Sequence, residues 1–262
     1  MTATPLRVAV LGFGEAGGAF ARDLVAAGAD VRGFDPKVAA PPGVQQRNGE
    51  IDAVRDAELV FSLTTTAEAE AALRASLPGL RPAVVWAEAN TAAPALKVRL
   101  AELAAEVGAD LVDVAIMAPV PGLGLRTPMY VSGSAAPHFV ELLAEIGVSV
   151  EEVPGPVGAA SARKLLRSVV YKGLAAAVVE ALAGAEAAGC ADWFREHMTT
   201  EFPNFDAHTM ERLITGTYAH AARRTEEMEA AARQLADLGV TPRIAGATRD
   251  ALRAIAESGE GR

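Results

Sequence analysis

Gly12-Phe13-Gly14-Glu15-Ala16-Gly17 lies between a β-branched apolar run at residues 6–12 and an amphipathic stretch at 16–27. Gly28 then stops that helix, and residues 29–34 read as a second strand. A strand, a glycine turn, a helix and a parallel strand within about 30 residues form one βαβ unit. Such a unit has to be covered on both faces, so the chain is committed to a largely parallel, doubly covered sheet. The alternation continues with strands at 58–63, 83–87, 109–113, 129–133 and 147–153 and helices at 67–76, 92–107 and 136–146. A Pro- and Gly-rich loop at 118–128 interrupts it.

After Pro154-Gly155-Pro156 the pattern changes. Residues 157–188 read as one long helix and 191–258 as shorter ones, with breaks near Pro203, Gly216, Gly239 and Pro242. The predicted architecture is a Rossmann-type α/β domain at 1–156, then an all-α domain at 157–262, joined by the long helix.

A G-x-G-x-x-G spacing arises by chance in a chain with 24 glycines, but here it closes a strand and opens a helix. Gly12 then makes the tight turn, Gly14 lets a pyrophosphate approach the backbone, and Gly17 lets the helix pack on the strand. The backbone of Phe13, Glu15 and Ala16 would offer amides at the helix N-terminus. Asp35, ending the second strand, would accept hydrogen bonds from the adenosine ribose. The cofactor read from this is NAD(P), with NAD favoured because a carboxylate repels a 2′-phosphate; Lys37 and Arg32 could offset that repulsion. Thr64, Thr65 and Asn90 follow the next two strands at their carboxyl ends, where open parallel sheets bind ligands. Thr66 and Thr91 read as helix caps.

A net charge of −9 argues against a nucleic-acid partner. The single cysteine excludes a disulfide framework and a multi-Cys metal site, and no metal site is predicted. The longest apolar stretch, 169–185, contains Lys172 and Glu180 and reads as a tightly packed helix rather than a membrane span. Residues 1–7 show no basic-then-apolar leader. The expectation is a cytoplasmic homodimer acting on a small molecule, with Trp193, Phe194, Phe202 and Phe205 in core or interface.

Twenty of the 24 basic residues are arginine. Arginine replaces lysine well as a surface charge but not as a titratable amine, so the four lysines carry information. Between residues 153 and 179 there is no acid, yet Arg163, Lys164, Arg167 and Lys172 fall within ten residues. On a helix Lys164, Ser168 and Lys172 share a face. Arg163 and Arg167 read as a solvated stripe, Lys97 as an ordinary surface residue, and Lys164 as an acid/base able to protonate a substrate carbonyl as hydride arrives.

The whole chain resembles the β-hydroxyacid dehydrogenase superfamily, the relatives of 3-hydroxyisobutyrate and 6-phosphogluconate dehydrogenases, and within it a bacterial subgroup with a C-terminal helical domain of unassigned function. The glycine loop resembles the family's dinucleotide loop. Residues 158–168, Gly-Ala-Ala-Ser-Ala-Arg-Lys-Leu-Leu-Arg-Ser, resemble its G-x-G-x-x-x-K-x-x-x-N helix. The resemblance places Lys164 at the catalytic lysine, with Ala160 for the second glycine and Ser168 for the substrate-holding asparagine. Asp113-Val-Ala-Ile-Met117-Ala118-Pro119 stands where the family reads D-A-P-V-S-G-G, so Met117 replaces the serine and the double glycine is absent. That loop is also similar to the D-x-A-I-M of imine reductases. The resemblance further implies a substrate pocket of Met117, Ala118 and Pro119 completed by His220 and Arg223, which with Arg224 and Glu227 share one side of a helix. An NAD(P)-dependent hydride transfer to or from a hydroxy acid or carbonyl is implied. An imine reductase and a dinucleotide-binding sensor without turnover are the alternatives.

Overall fold

The computed structural model describes residues 4–259. The chain divides into two compact units, Met1–Arg167 and Ser168–Arg262. In the first, β1 (Arg7–Leu11), β2 (Asp30–Phe34), β3 (Gln45–Gln46), β4 (Leu59–Ser62), β5 (Val85–Glu88), β6 (Asp110–Ile116), β7 (Met129–Ser132) and β8 (Glu151–Glu152) form one sheet in the order β3-β2-β1-β4-β5-β6-β7-β8. All neighbours are parallel except β6 and β7. Helices α1 (Glu15–Ala26), α2 (Glu50–Val54), α3 (Ala69–Ser76), α4 (Pro94–Ala105) and α5 (Ala136–Glu145) supply the crossovers and cover.

The strands are apolar throughout because both faces are covered. Val8 and Val10 belong to one core cluster with Phe20, Phe61 and Phe139, whereas Ala9 and Leu11 belong to the other with Val60 and Trp86. Phe61 meets Phe20 and Phe139 edge-on, at 5.6 and 5.8 Å between ring centres. Strand order reverses at β1, which pairs with β2 on one side and β4 on the other. A crevice at the carboxyl ends is the expected consequence of that switch point. β3 and α2 escape prediction because two exposed glutamines and a five-residue helix carry no measurable period.

The long helix α6 (Ala159–Ala187) begins in the first unit and continues into the second. The second unit also holds α7 (Ala191–Glu201), α8 (Ala207–Asp237) and α9 (Arg243–Ser258). The breaks predicted near Pro203 and at 239–242 are present, but Gly216 breaks nothing. Instead α8 kinks at His220 (φ −128°, ψ 21°). The hydroxyls of Thr215, Thr217 and Thr225 each donate to the carbonyl four residues back, a pattern that bends helices. Within this unit Glu180 accepts from the Ile244 and Ala245 amides at 2.8 Å each. It thereby caps α9, whose own N-cap is Pro242. Burial pushes the Glu180 carboxyl up, but the amides of Ile244, Ala245 and Arg243 outweigh it and hold the group below its ordinary value.

The tightly packed helix expected at 169–185 needs correction. Residues 169–175 are exposed around the full circumference of α6, with Val169 at 71% and Tyr171 at 59%. Apart from Lys172 the stretch carries no charged side chain, and its apolar residues face outward on more than one side of α6. By length and composition α6 is also long and apolar enough to cross a membrane.

Candidate functional site

The three loop glycines are not equivalent. Gly12 has φ +93°, and a Cβ there would strike the Leu63 carbonyl; a Cβ at Gly17 would strike the carbonyl oxygen of Gly12. The protein's own packing explains both. Gly14 is different: its backbone is ordinary and extended (φ −60°, ψ −165°), and a Cβ would have no neighbour within 4 Å. Nothing inside the protein requires glycine at position 14, so the vacant space points to an external group. Gly14 is also the N-cap of α1, and no side chain caps that helix, which leaves its first amides for an anion. A groove of about 700 Å³ borders it, walled by Glu15, Val38, Pro41 and Pro121. These features fit a dinucleotide pyrophosphate. A separate cleft of about 440 Å³, bounded by Glu58, Val84 and His138, opens at the amino ends of β4 and β5 and shares none of these residues.

The Phe13 side chain is buried, 2.7 Å from where a Cβ on Gly33 would stand. Its amide donates to Asp35 Oδ2 at 2.7 Å. Asp35 Oδ1 accepts from the amides of Lys37 and Val38 at 2.7 and 2.9 Å. Burial pushes the Asp35 carboxyl up, but these three amides and the Lys37 charge outweigh it, so the pKa lies below its ordinary value. Asp35 is therefore an anion fixed beside the glycine turn. Lys37 is exposed. Arg32 is turned away, with its guanidinium donating to the Arg55 carbonyl at 2.7 Å and lying 3.5 Å from Asp30.

At the carboxyl ends of β4 and β5, Asn90 Nδ2 donates to Glu88 Oε1 (2.7 Å), Ser62 Oγ (3.2 Å) and Thr64 Oγ1 (3.2 Å). With its amide hydrogens committed there, Asn90 has only an acceptor to offer a ligand. Thr65 Oγ1 accepts from the Glu68 amide at 3.3 Å. Thr66 and Thr91 cap nothing: the Thr66 hydroxyl donates to the Thr91 carbonyl at 2.6 Å and ties the two loops together.

Lys97 is not a surface residue. It is fully buried, with Nζ donating to the Glu88 carbonyl at 2.6 Å and standing 3.3 Å from Asp113 Oδ1 and 3.9 Å from Glu88 Oε1. Glu88 and Asp113 are also fully buried and lie opposite each other on β5 and β6. Asp113 in turn accepts from the amides of Gly158 (3.1 Å) and Ser161 (2.9 Å) and from Ser161 Oγ (2.6 Å). Ser132 Oγ donates to Asp113 at 3.3 Å and accepts from the Ala160 amide at 3.0 Å. The first turn of α6 is thus capped by a carboxylate from the sheet. The sequence does carry a signal for this network. Lys97 is in phase with Leu100 and Ala104 on the buried stripe of α4, and Glu88 and Asp113 are acids inside apolar strands.

Lys164, one turn past Ala160, is half-buried, and Ser168 follows a turn later. Met117 and Ala118 are half-buried and Pro119 exposed on the loop leaving β6, with the Met117 amide donating to the Pro128 carbonyl at 2.8 Å. In the second unit His220 is exposed at the kink of α8. Arg223 is exposed and 3.7 Å from Glu227, while Arg224 donates to Thr217 Oγ1 at 2.6 Å. The kink interrupts the straight-helix stripe on which His220 and Arg223 were aligned. Among the described residues no group of three or more His, Cys, Asp or Glu could hold a metal ion.

The family described as the NAD binding domain of 6-phosphogluconate dehydrogenase matches residues 7–137, half of the chain. The chain belongs to that family. Residues 185–255 match a second family, described as a domain of unknown function. An "uncharacterized 28.5 kDa protein in 7S RNA 5′ region" of Methanothermus fervidus is 28% identical over 85% of this chain and 88% of its own. Among solved structures, the conserved protein MTH1747, whose structure is described as similar to 3-hydroxyacid dehydrogenases, is 28% identical. It covers 98% of this chain and 100% of its own, with a TM-score of 0.60. The imine reductase of Myxococcus stipitatus, solved with NADP+, is 20% identical and covers 97% and 96%, with a TM-score of 0.83. The chain therefore has an NAD(P)-binding dehydrogenase fold, shared with 3-hydroxyacid dehydrogenases and imine reductases.

Proposed function

We propose that the protein is an NAD(P)-dependent oxidoreductase that moves hydride to or from a small polar hydroxy acid or carbonyl compound, with Lys164 as the acid/base. Bound NAD(P) would supply or accept the hydride. The observation that carries the reading is the open space at Gly14 beside a fixed Asp35 carboxylate, at the switch point of the sheet. The first-turn amides of α1 and the Gly14 backbone hold the pyrophosphate, Asp35 accepts from the adenosine ribose, and Thr64, Thr65 and Asn90 line the carboxyl edge. Asp35 favours NAD over NADP, because a 2′-phosphate would approach a charged carboxylate whose nearest lysine is solvent-exposed.

Lys164 donates a proton to the substrate oxygen on reduction and takes it back on oxidation. Ser168, one turn further, and the Met117–Pro119 loop orient the substrate. That loop offers fewer hydroxyl and glycine amide donors than a carboxylate-binding loop would. This favours a second reading, imine reduction, in which Lys164 orients the substrate without protonating it. We further propose a homodimer in which a second copy covers residues 169–175 of α6.

A panel of hydroxy acids oxidised with NAD+ or NADP+, set beside carbonyls and cyclic imines reduced with NADH or NADPH, tests both readings. Lys164→Ala should lower kcat at least about a hundredfold while cofactor affinity stays within about threefold. Tight cofactor binding with no turnover across the panel would leave only a dinucleotide sensor.

A further inference from the structure

We propose that Lys97 is a positioning residue whose ammonium joins the Asn90 loop to the first turn of α6 and thereby sets where Lys164 stands. A buried ammonium is tolerated only when paired and hydrogen-bonded, and an apolar residue of similar size is often no less stable. A lysine on the core stripe of α4, where leucine or methionine would fit, therefore calls for a reason beyond packing. Fixing one arrangement of neighbouring elements is the best-attested use of such buried ions.

The contacts supply that reason, because they run in two directions. Towards the cofactor side, Lys97 holds the Glu88 main chain at 2.6 Å, and the Glu88 carboxylate receives both the backbone amide (3.1 Å) and the side-chain amide (2.7 Å) of Asn90. Asn90 then reaches Ser62 and Thr64 on the neighbouring strand and loop. Towards α6, Lys97 lies 3.3 Å from Asp113, which gathers two amides and one hydroxyl from Gly158 and Ser161. The backbone confirms how close the elements are. Gly158 has φ +99°, and a Cβ there would stand 3.0 Å from Pro94, the first residue of the helix that carries Lys97. Lys164 follows Ser161 by three residues on the same rigid helix, so any shift or rotation of that first turn passes directly to it.

The catalytic consequence rests on the oxidoreductase reading; the mechanical one does not. The test uses the full chain with Lys97→Met, which keeps the volume and removes the charge, and Ser161→Ala, which removes one hydroxyl from the Asp113 cluster. Amide hydrogen exchange is followed at residues 158–164 and at 8–24, and NADH binding is titrated by fluorescence. In both variants exchange at 158–164 should speed at least about tenfold, while 8–24 changes less than about threefold. NADH affinity should be weakened less than kcat is lowered, since Asn90 retains Ser62, Thr64 and Glu88. Should Lys97→Met fail to fold, Ser161→Ala and the pair Lys97→Met with Asp113→Asn, which leaves the Glu88 carboxylate as the one charge of the three, decide the matter. Wild-type exchange at 158–164 in the folded variants overturns the proposal, and so does acceleration spread evenly over 8–24 and 158–164. Selective loosening of α6 in a protein that turns over no substrate would remove the oxidoreductase reading and leave the positioning role standing. Turnover with α6 unmoved would do the reverse.

Discussion

Gly14→Ala separates binding from folding more sharply than any other single change in the glycine loop. The alanine methyl meets nothing within 4 Å, and the backbone at φ −60°, ψ −165° suits any residue. Folding should therefore be unharmed. Gly→Ala at a compatible site stabilises by about 0.4–1 kcal/mol through the unfolded chain, which offsets the poorer capping by alanine at this N-cap, so for a unit of this size Tm should move by no more than about 4 °C. Binding should suffer instead, because the methyl occupies the space through which a pyrophosphate reaches the first amides of α1. A hydrogen bond to a charged group is worth about 1.5–3 kcal/mol; losing one weakens NADH binding roughly 10- to 150-fold, at 1.4 kcal/mol per tenfold. Fluorescence titration with NADH and a thermal melt on the same preparation measure both quantities. Gly17→Ala is the control with the opposite signature: its methyl strikes the Gly12 carbonyl, so stability should fall by about 1–3 kcal/mol and binding should fall with it. Wild-type NADH affinity in a well-folded Gly14→Ala protein would refute the argument that the space above Gly14 is kept for a ligand.

Asp35→Asn removes a fixed charge from the ribose end. The repulsion it relieves is at least about 1 kcal/mol even at the dielectric of water, so the NADP+ to NAD+ preference should rise roughly fivefold or more in paired Kd measurements; an unchanged ratio would count against Asp35 as the selectivity residue. Glu180→Ala removes the cap on α9, at a cost of about 1 kcal/mol, readable as an earlier melting transition of the helical unit. Because the folded pKa of Glu180 is depressed, its contribution is full above the unfolded value of 4.5 and is lost as pH falls through the lower folded value. The Tm difference between wild type and Glu180→Ala should therefore shrink only in acid. Val170→Asp places a charge on the bare stretch of α6 and, if the proposed dimer forms through it, should yield a monomer in size-exclusion chromatography with light scattering. A wild-type monomer would dispose of the proposed α6 interface.

The parts of the fold legible in the sequence were those in which a period repeats. β1, β4 and β5 are short apolar runs that send alternate residues into two core clusters, and their spacing with α1 and α4 predicts the parallel sheet. The position of Asp35 was legible because it directly follows the second strand of a βαβ unit, although its three amide donors were not. The kink at His220 was not legible: it falls one turn past Gly216, the nominal breaker, in a segment where threonine hydroxyls bond back along α8, a pattern that often bends helices. The fate of 169–175 was misread for another reason. A helix whose only charged residues across 169–185 are Lys172 and Glu180 predicts burial, but the sequence does not say whether the cover comes from the same chain.

The scarcity of lysine underlies both the proposal for Lys164 and the misplacing of Lys97 on the surface, and the same physics bears on both. Selecting lysine over arginine matters where a titratable amine is needed, which favours Lys164. It matters equally where a slender cation must fit a sealed interior, which is the position of Lys97 between Glu88 and Asp113. Counting lysines cannot separate these uses, but helical phase can. Lys97 shares the buried stripe of Leu100 and Ala104, whereas Lys164 begins a stripe with Ser168 and Lys172 that is only partly covered. A cation in phase with core leucines, in a chain whose sheet carries two fully buried acids, should be read as the third member of a buried ionic group. By that reasoning Lys97→Arg is not a conservative exchange. The guanidinium is larger and needs a planar fork of acceptors, whereas this pocket presents one carbonyl and two carboxylate oxygens around a point charge. Lys97→Arg should therefore impair the first turn of α6 at least as much as Lys97→Met. An arginine variant with wild-type exchange at 158–164 would show that charge alone, and not the shape of the amine, holds α6 in place.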